Sequence, residues 1–257
     1  MNIIQAILLG LLQGITEWLP ISSEGQSVLF MMNYLRLDPQ SALSVAIFLH
    51  IGTSLAVLLK FRSEFISMLN LRSNLSRIVF ISTLSTAITG LPLYILIKSS
   101  FNSGELATLL IGVLLIVTGI LLRSPKEKGY KDIDEVSTRD LIILGLAQGF
   151  SILPGISRSG TTIATLLLSG VNQKSALVIS FLISVPVVLG AAFLDIISSS
   201  SMSLIGVEIA IVMVITAFVV GYLMMDLLLR FAEKVNFSIF CITLGAITII
   251  ISLPSFV

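Results

Sequence analysis

The chain has 257 residues, of which 56% are hydrophobic and 11% are charged, and its formal net charge is +1. Its mean hydropathy is +1.07. A surface of this composition cannot be solvated by water, so we expect an integral membrane protein. The near-neutral charge and the absence of a block rich in Lys and Arg argue against a nucleic-acid partner. The single cysteine allows no internal disulfide and no cysteine-based metal cluster.

The first apolar stretch, residues 3–12, is too short to cross a bilayer, which takes about 20 residues. No basic residue precedes it and no small-residue cleavage site follows it, so we do not expect a signal peptide. Residues 139–152 form a second short stretch. Each is followed by Gly, Pro and Ser and then by another short apolar stretch, 27–35 or 161–171. This pattern predicts two re-entrant hairpins, whose broken backbone needs protein or a water-filled cavity around it.

The remaining apolar segments have the length of membrane-spanning helices, roughly 17 to 25 residues. They lie at about 42–60, 77–97, 105–123, 174–195, 207–229 and 237–253. Together with the short stretches they predict an all-α polytopic membrane protein with six transmembrane helices and two re-entrant helical hairpins. We expect one integral membrane domain over residues 1–257.

A polar motif occurs twice in this apolar chain. The first copy reads Gly10-Leu-Leu-Gln13-Gly14 and then Glu17-Trp18-Leu19-Pro20-Ile21-Ser22-Ser23-Glu24-Gly25, and the second reads Gly145-Leu-Ala-Gln148-Gly149 and then Pro154-Gly155-Ile156-Ser157-Arg158-Ser159-Gly160. Downstream, Ser41-Ala42-Leu43 corresponds to Ser175-Ala176-Leu177, at nearly the same offset of about 135 residues. We therefore expect repeat 1 at about 1–123, a cytoplasmic loop at about 124–138 and repeat 2 at about 139–257.

Basic residues alternate between the loops and indicate the orientation. The richer loops are flanked by Lys60, Arg62, Arg72, Arg77, Arg123, Lys126, Lys128, Lys131, Arg139, Arg230 and Lys234. The positive-inside rule places these loops in the cytoplasm. Three spans separate the two hairpins, so the second copy is inverted relative to the first. Inverted repeats with broken helices near the midplane are typical of secondary transporters, which makes a polyprenyl-phosphate flippase or carrier the alternative function.

The motifs resemble those of a known family. Gln13-Gly14-Ile15-Thr16-Glu17 with Leu19-Pro20-Ile21-Ser22-Ser23 is similar to the (E/Q)xxxE segment of the undecaprenyl-diphosphate phosphatases of the bacitracin-resistance type, and Pro154-Gly155-Ile156-Ser157-Arg158-Ser159-Gly160-Thr161-Thr162 is similar to their PGxSRSxxT motif. The resemblance implies a plasma-membrane hydrolase. It would convert a polyprenyl diphosphate to the monophosphate and inorganic phosphate, and so recycle the lipid carrier of envelope synthesis with the help of Mg²⁺ or Ca²⁺. Its partners would be that lipid and the membrane, and a homodimer is compatible with this assignment.

The chain departs from the family pattern at one position. The family has Ser-Ser-x-Gly-His where this chain has Ser22-Ser23-Glu24-Gly25-Gln26. Gln26 cannot take or give a proton as histidine would. Glu24 adds a carboxylate beside this gap, as a candidate base or metal ligand. The single histidine, His50, lies in the first span, and we interpret it as structural.

These residue types suit a diphosphate head. Arg158 can hold phosphate oxygens in pairs, helped by the hydroxyls of Ser157, Ser159 and Thr162. Glu17, with Gln13 as a neutral second ligand or as an amide that orients it, suits a hard divalent cation. Ser23, or less favourably Ser22, either attacks the terminal phosphorus or positions water. Both serines also suit capping of the returning helix. We therefore expect Glu17, Ser23, Glu24 and Arg158 to be catalytic, and Gln13, Ser22, Gln26, Ser157, Ser159 and Thr162 to bind substrate.

Overall fold

A computed structural model describes residues 1–123, 129–198, 205–232 and 237–253. Its helices are α1 Ile3–Thr16, α2 Ser23–Tyr34, α3 Pro39–Lys60, α4 Arg62–Ser67, α5 Asn74–Ser100, α6 Gly104–Leu121, α7 Thr138–Gly149, α8 Arg158–Leu168, α9 Gln173–Ser198, α10 Val207–Ala232 and α11 Phe237–Ser252. Short 3-10 turns cover Ile133–Glu135 and Phe150–Ile152. Within the described ranges every regular element is helical, apart from one isolated bridge between Lys131 and Val171.

Long apolar helices confirm the prediction of a polytopic membrane protein. Five helices are long and apolar enough to cross a bilayer among the residues described: α3, α5, α6, α9 and α10. They coincide with the first five predicted spans. The sixth predicted span, 237–253, is α11, a shorter apolar helix of 16 residues. The short helix α4 was not predicted from the hydropathy pattern.

The short helices come in two consecutive pairs, α1 with α2 and α7 with α8, each joined by a turn. The turn between α1 and α2 lies beside His50, which is near the centre of the 22-residue helix α3. The turn between α7 and α8 meets the first turn directly, since Ser22 accepts a hydrogen bond from the Gly155 amide at 3.0 Å. The polar motifs of the two repeats therefore come together in three dimensions.

One end of the bundle collects the loops that carry most of the basic residues. Lys60, at the end of α3, pairs with Asp226 of α10, Nζ to Oδ2, at 2.5 Å. Arg77, near the start of α5, donates to the Val136 carbonyl at 2.6 Å. The predicted cytoplasmic loops thus share one end of the bundle. Lys126, Lys128 and Lys234 lie outside the described residues.

The opposite end is closed by a buried polar cluster. Lys98, in the last turn of α5, pairs with Asp195 of α9, Nζ to Oδ1, at 2.5 Å. Tyr94 and Ser44 donate to the same carboxylate oxygen at 3.0 and 3.3 Å. Gln40, in the first turn of α3, donates to the Lys98 carbonyl at 3.1 Å. These bonds tie α3, α5 and α9 together where all three approach the predicted outer side.

Glycines of the duplicated motif occupy matching helix contacts. α1 packs along α10, where a Cβ on Gly10 would lie 2.6 Å from the Thr216 Cβ. α7 packs along α5 in the same way, and a Cβ on Gly145 would lie 2.3 Å from the Ser82 carbonyl oxygen. Small residues let helix backbones approach this closely in a membrane protein. In the two copies α1 corresponds to α7, and α10 corresponds to α5. The contact of α1 with α10 is therefore equivalent to that of α7 with α5, and the packing agrees with a duplicated chain.

We predict that Gly145→Ala destabilises the protein. The added methyl group would overlap the Ser82 backbone, which cannot move aside as a flexible side chain could. Overpacking of this kind costs about 1–3 kcal/mol. Thermal unfolding in detergent should show a lowered midpoint.

Gly190→Ala is the matched control, because a Cβ on Gly190 of α9 meets no atom within 4 Å. It should unfold at or slightly above the wild-type temperature, since Ala favours a helix over Gly by about 0.5–1 kcal/mol. Equal midpoints for the Gly145 and Gly190 variants would show that the α5 to α7 contact is not tight.

Candidate active site

The turn of the first hairpin is shaped by Ser22, whose backbone has a positive φ of 59°. This left-handed conformation is uncommon for a residue other than Gly and costs of the order of 1 kcal/mol. It lets the Ser22 hydroxyl accept hydrogen bonds from two backbone amides: that of Gly25 at 3.3 Å and that of Gly155, in the other hairpin, at 3.0 Å. One side chain therefore caps α2 and joins the two turns.

The turn of the second hairpin is held by Thr118 of α6. The Thr118 hydroxyl donates to the Gly155 carbonyl at 2.9 Å and accepts the Ser157 amide at 3.0 Å. Gly155 has a φ of +111°, a conformation that side chains rarely adopt. Ser157 then caps α8 by accepting the Gly160 amide at 3.2 Å. Ser22 and Ser157 are thus equivalent caps in the two repeats.

Two helix N-termini consequently converge on one region. Ser23 and Arg158 are the first residues of α2 and α8. The free amides and the dipole of a helix N-terminus favour an anion. A region that receives two such ends, together with an arginine, is suited to bind a phosphate group.

Glu17 lies at the centre of this region and is 5% exposed. Its Oε1 pairs with the Arg158 guanidinium across the two hairpins. Its Oε2 accepts hydrogen bonds from Ser23 Oγ at 2.7 Å and from Gln13 Nε2 at 2.8 Å. His50 Nε2 lies 3.2 Å from the same oxygen. Both carboxylate oxygens are therefore engaged by protein groups, which compensates the cost of burying the charge.

His50 joins the site from α3. Its Nε2 is 3.4 Å from Ser23 Oγ, and its Nδ1 is 2.7 Å from the Ala46 carbonyl oxygen of its own helix. The imidazole is thus fixed by its own helix on one side and faces a hydroxyl and a carboxylate on the other. Ser23, Glu17 and His50 form a triangle of polar groups in an apolar bundle.

Two ionisable side chains in the site have unpartnered atoms in the described structure. Glu24, the second residue of α2, is 8% exposed, and its Oε1 is buried without a hydrogen-bond partner in the described structure. The same is true of Arg158 NH1. A buried charge is expected to be paired. Glu24 Oε1 therefore marks a position that suits a cation, and Arg158 NH1 marks one that suits an anion.

A cavity adjoins the ionisable side chains and most of the hydroxyl groups of this site. Its polar lining comprises Glu17, Ser22, Ser23, Glu24, His50, Thr83, Thr86, Tyr94, Gln148, Ser151, Ser157, Arg158 and Ser159. Along α5 and α9 the lining becomes apolar and includes Leu91, Gly190 and Leu194. Leu91 is 44% exposed, so the cavity reaches the apolar outer surface of the bundle. A polar head and an apolar tail would both find matching surroundings there.

The structure brings most of the predicted site residues together. Glu17, Ser22, Ser23, Glu24, Ser157, Arg158 and Ser159 all line the cavity.

Three predicted substrate-binding residues lie outside this lining. Gln13 lies behind Glu17 and orients it. Gln26 donates to the Ile21 carbonyl at 3.2 Å. Thr162 bonds to Ser180 of α9 at 2.6 Å and to the Arg158 carbonyl at 2.8 Å. Each of these side chains is hydrogen-bonded to its own hairpin or to a neighbouring helix.

His50 and Thr118 are two residues at the site that sequence reasoning did not assign to it. We interpreted His50 as structural, whereas it contacts Glu17 and Ser23. A signal existed for it, because it is the single histidine of the chain and lies in an apolar span. Thr118 has no comparable signal, since threonine is common in membrane helices.

The expected cation ligands, Glu17 and Gln13, are both engaged with protein groups in this arrangement. The Glu17 oxygens already accept several N–H and O–H donors, and Gln13 directs its amide nitrogen toward them. No group of three or more His, Cys, Asp or Glu side chains among the described residues could hold a metal ion. Glu24, whose Oε1 has no partner in the described structure, is a second carboxylate on the cavity wall.

Comparison with known proteins agrees with this geometry. One relative, named undecaprenyl-diphosphatase, from Methanothrix thermoacetophila, is 55% identical over 97% of this chain and 96% of its own length. Relatives with the same name from Methanopyrus kandleri and Sulfurisphaera tokodaii are 41% and 36% identical, over 97% and 98% of this chain and 96% and 98% of their own lengths. The family model described as "Bacitracin resistance protein BacA" matches residues 6–249. The chain therefore belongs to the family of the bacitracin resistance protein BacA.

Proposed function

We propose that this protein is an undecaprenyl-diphosphate phosphatase. It hydrolyses the lipid diphosphate to the monophosphate and inorganic phosphate, and so returns the lipid carrier to cell-envelope synthesis. The observation that carries the proposal is the meeting of Glu17 and Arg158, one from each repeat, beside a serine and two helix N-termini. The names of the full-length relatives support the same substrate.

Arg158 is the proposed phosphate ligand. One of its nitrogens holds Glu17, and NH1 is unpartnered in the described structure. A guanidinium can therefore keep Glu17 in place and bind a phosphate oxygen at the same time. The Ser159 hydroxyl and the amides at the start of α8 supply further donors on the same wall.

Ser23 is the proposed nucleophile. Its hydroxyl lies at the N-terminus of α2, lines the cavity and is oriented by Glu17 at 2.7 Å. Attack by Ser23 Oγ on the terminal phosphorus breaks the bond to the bridging oxygen and releases the lipid monophosphate. Water then cleaves the phosphoserine. The other mechanism, in which Ser23 only positions water, would leave no phosphoserine to trap.

A divalent cation is proposed as the cofactor, held by Glu24 together with oxygens of the diphosphate. The unpartnered Glu24 Oε1 on the cavity wall supports this assignment. Hard cations such as Mg²⁺ and Ca²⁺ prefer oxygen ligands, and Mg²⁺ in particular commonly binds through one or two carboxylates plus substrate phosphates. When bound, the cation would neutralise charge that develops on the phosphate oxygens.

The proposed membrane arrangement follows from the two ends of the bundle. Six spans cross the plasma membrane, with α11 as the sixth, and the two hairpins are re-entrant from opposite sides. In this arrangement the loops near Arg77 and Val136 are cytoplasmic. The polyprenyl tail leaves the cavity past Leu91 and Gly190 into the lipid phase. Membrane lipids are the other proposed partner, and a homodimer stays a prediction.

A flippase or secondary transporter, the other function suggested by the repeats, is not favoured. The full-length relatives are named as diphosphatases. A transport site also has no need of a serine hydroxyl placed 2.7 Å from a carboxylate. Release of inorganic phosphate from undecaprenyl diphosphate by the purified protein, with and without a chelator, tests the assignment directly.

We predict that Arg158→Ala abolishes turnover and that Arg158→Lys restores little of it. A lysine is a point charge and cannot bind Glu17 and phosphate through two nitrogens of one plane. Loss of a clamping group of this kind typically lowers the rate by about 10²-fold to 10³-fold. Phosphate release measures the effect.

Arg72→Ala provides the matched control, because Arg72 is an exposed arginine outside the site. It should keep wild-type activity. Near-normal phosphate release by Arg158→Ala would rule out the proposed site.

We predict that Glu24→Gln lowers activity by roughly 10²-fold to 10⁴-fold, whether Glu24 holds the cation or exchanges a proton. The amide is nearly isosteric but carries no charge. Thermal unfolding separates the two roles, since a bound cation stabilises the folded state by mass action. Mg²⁺ should raise the unfolding temperature of the wild type and not that of the variant. Full activity of Glu24→Gln would exclude both roles.

We predict opposite accessibility for the two ends of the bundle. In a variant without Cys241, a cysteine at Tyr34 should react with a membrane-impermeant maleimide in intact cells, because Tyr34 is 76% exposed at the predicted outer end. A cysteine at Leu71, which is 87% exposed, should react only after permeabilisation. Labelling of both positions from one side would contradict the first span and the inverted repeats.

A further inference from the structure

His50 occupies a position that the proposed reaction has not yet used. Its Nε2 is 3.4 Å from Ser23 Oγ and 3.2 Å from Glu17 Oε2, and Ser23 Oγ is 2.7 Å from the same Glu17 oxygen. These three atoms form a closed triangle. The nucleophilic oxygen therefore has two neighbours that can receive its proton, and one of them is an imidazole.

The backbone of α3 sets the hydrogen pattern of this imidazole. Nδ1 lies 2.7 Å from the Ala46 carbonyl oxygen, which can only accept a hydrogen bond. Nδ1 therefore carries a hydrogen, and Nε2 is the nitrogen that gains and loses one. Nε2 is also the nitrogen that faces Ser23. With Nδ1 fixed in this way, Nε2 is the nitrogen that can act as a general base toward Ser23.

Two arguments favour His50 over Glu17 as the proton acceptor. Glu17 already accepts hydrogen bonds from Gln13 Nε2 and from Ser23 Oγ and pairs with Arg158, so its oxygens serve mainly to anchor these groups. An imidazole, with an ordinary pKa of about 6.5, also suits proton transfer near neutral pH better than a carboxyl with an ordinary pKa of about 4.3. Glu17 beside Nε2 then stabilises the imidazolium that forms.

We propose that His50 is a catalytic residue, the general base that takes the proton of Ser23 in phosphate transfer. This inference rests on the proposed phosphatase function. Gln26, at the position of the histidine in the resembling motif, bonds to the Ile21 carbonyl and does not line the cavity. The imidazole of this chain thus comes from α3, on a different element of the fold.

The proton and bond changes balance. In the first step the Ser23 Oγ to phosphorus bond forms, the bond from phosphorus to the bridging oxygen breaks, and the serine proton moves to His50 Nε2. The lipid monophosphate leaves with its bridging oxygen. In the second step water attacks the phosphoserine, Ser23 Oγ leaves and recovers its proton from His50, and both hydrogens of the water remain on the released phosphate.

The ionisable groups around His50 are Glu17, Glu24 and Arg158 on the cavity wall. Asp195 lies further along the cavity, where Ser44, Tyr94 and Lys98 engage it. Because several of these groups titrate or carry charge, a pH profile alone would not single out His50. Chemical rescue is the sharper readout.

The test compares His50→Gln and His50→Ala with wild type on undecaprenyl diphosphate. Both variants should lose roughly 10²-fold to 10⁴-fold in kcat, and the KM should change by less than about threefold, since a base acts in the transition state. Imidazole added to His50→Ala should restore part of the lost rate, because the His50 side chain is 13% exposed and lines the cavity. Imidazole should not rescue Ser23→Ala.

Ser54→Ala, one turn later in α3, controls for damage to the helix and should keep wild-type kcat and unfolding temperature. His50→Gln retains volume and hydrogen bonding, so it keeps the test valid if His50→Ala unfolds. A wild-type kcat in His50→Gln, or a folded His50→Ala that imidazole does not rescue, would overturn the inference. Absence of phosphate release by the wild type would instead refute the proposed function.

Discussion

The ion pair between Arg158 and Glu17 is the constraint on which the rest of the site depends. Each charge lies in a different hairpin, and each hairpin ends inside an apolar bundle where a lone charge would be very costly. The pair therefore requires the two turns to meet, and the Ser22 to Gly155 bond fixes how they meet. Breaking a buried pair by removing one partner typically costs about 3–5 kcal/mol. The catalytic arrangement and the fold are stabilised by the same contact.

The two repeats share a backbone and differ in chemistry. Ser22 and Ser157 are equivalent helix caps, and both present a helix N-terminus to the cavity. Gln13 of the first copy orients Glu17, whereas Gln148 of the second donates to Thr86 at 3.0 Å. The first repeat thus supplies the carboxylates and the proposed nucleophile, and the second supplies the guanidinium. The two hairpins thus have similar turns and differ at a few polar positions, where their side chains are complementary.

The helices and the meeting of the motifs could be predicted from the sequence, because hydropathy and repetition are local properties of the chain. The direction of each side chain could not. Gln26 and Thr162 belong to the motifs, yet they bond to the Ile21 carbonyl and to Ser180. His50 is 27 residues from Ser23 in the sequence, and only the packing of α3 against the first hairpin brings them together. Spacing along the chain does not encode such contacts.

On the proposed route, the substrate reaches the site past the apolar side of the cavity, where Leu91 is 44% exposed. A lipid that enters there arrives by lateral diffusion within the bilayer and never passes through water. The relevant abundance of substrate is then its mole fraction in the membrane, a surface quantity. Adding detergent dilutes the substrate without changing its bulk molarity, so rates measured in micelles should scale with the ratio of substrate to detergent. Likewise, an inhibitor would have to partition into the bilayer before it could compete.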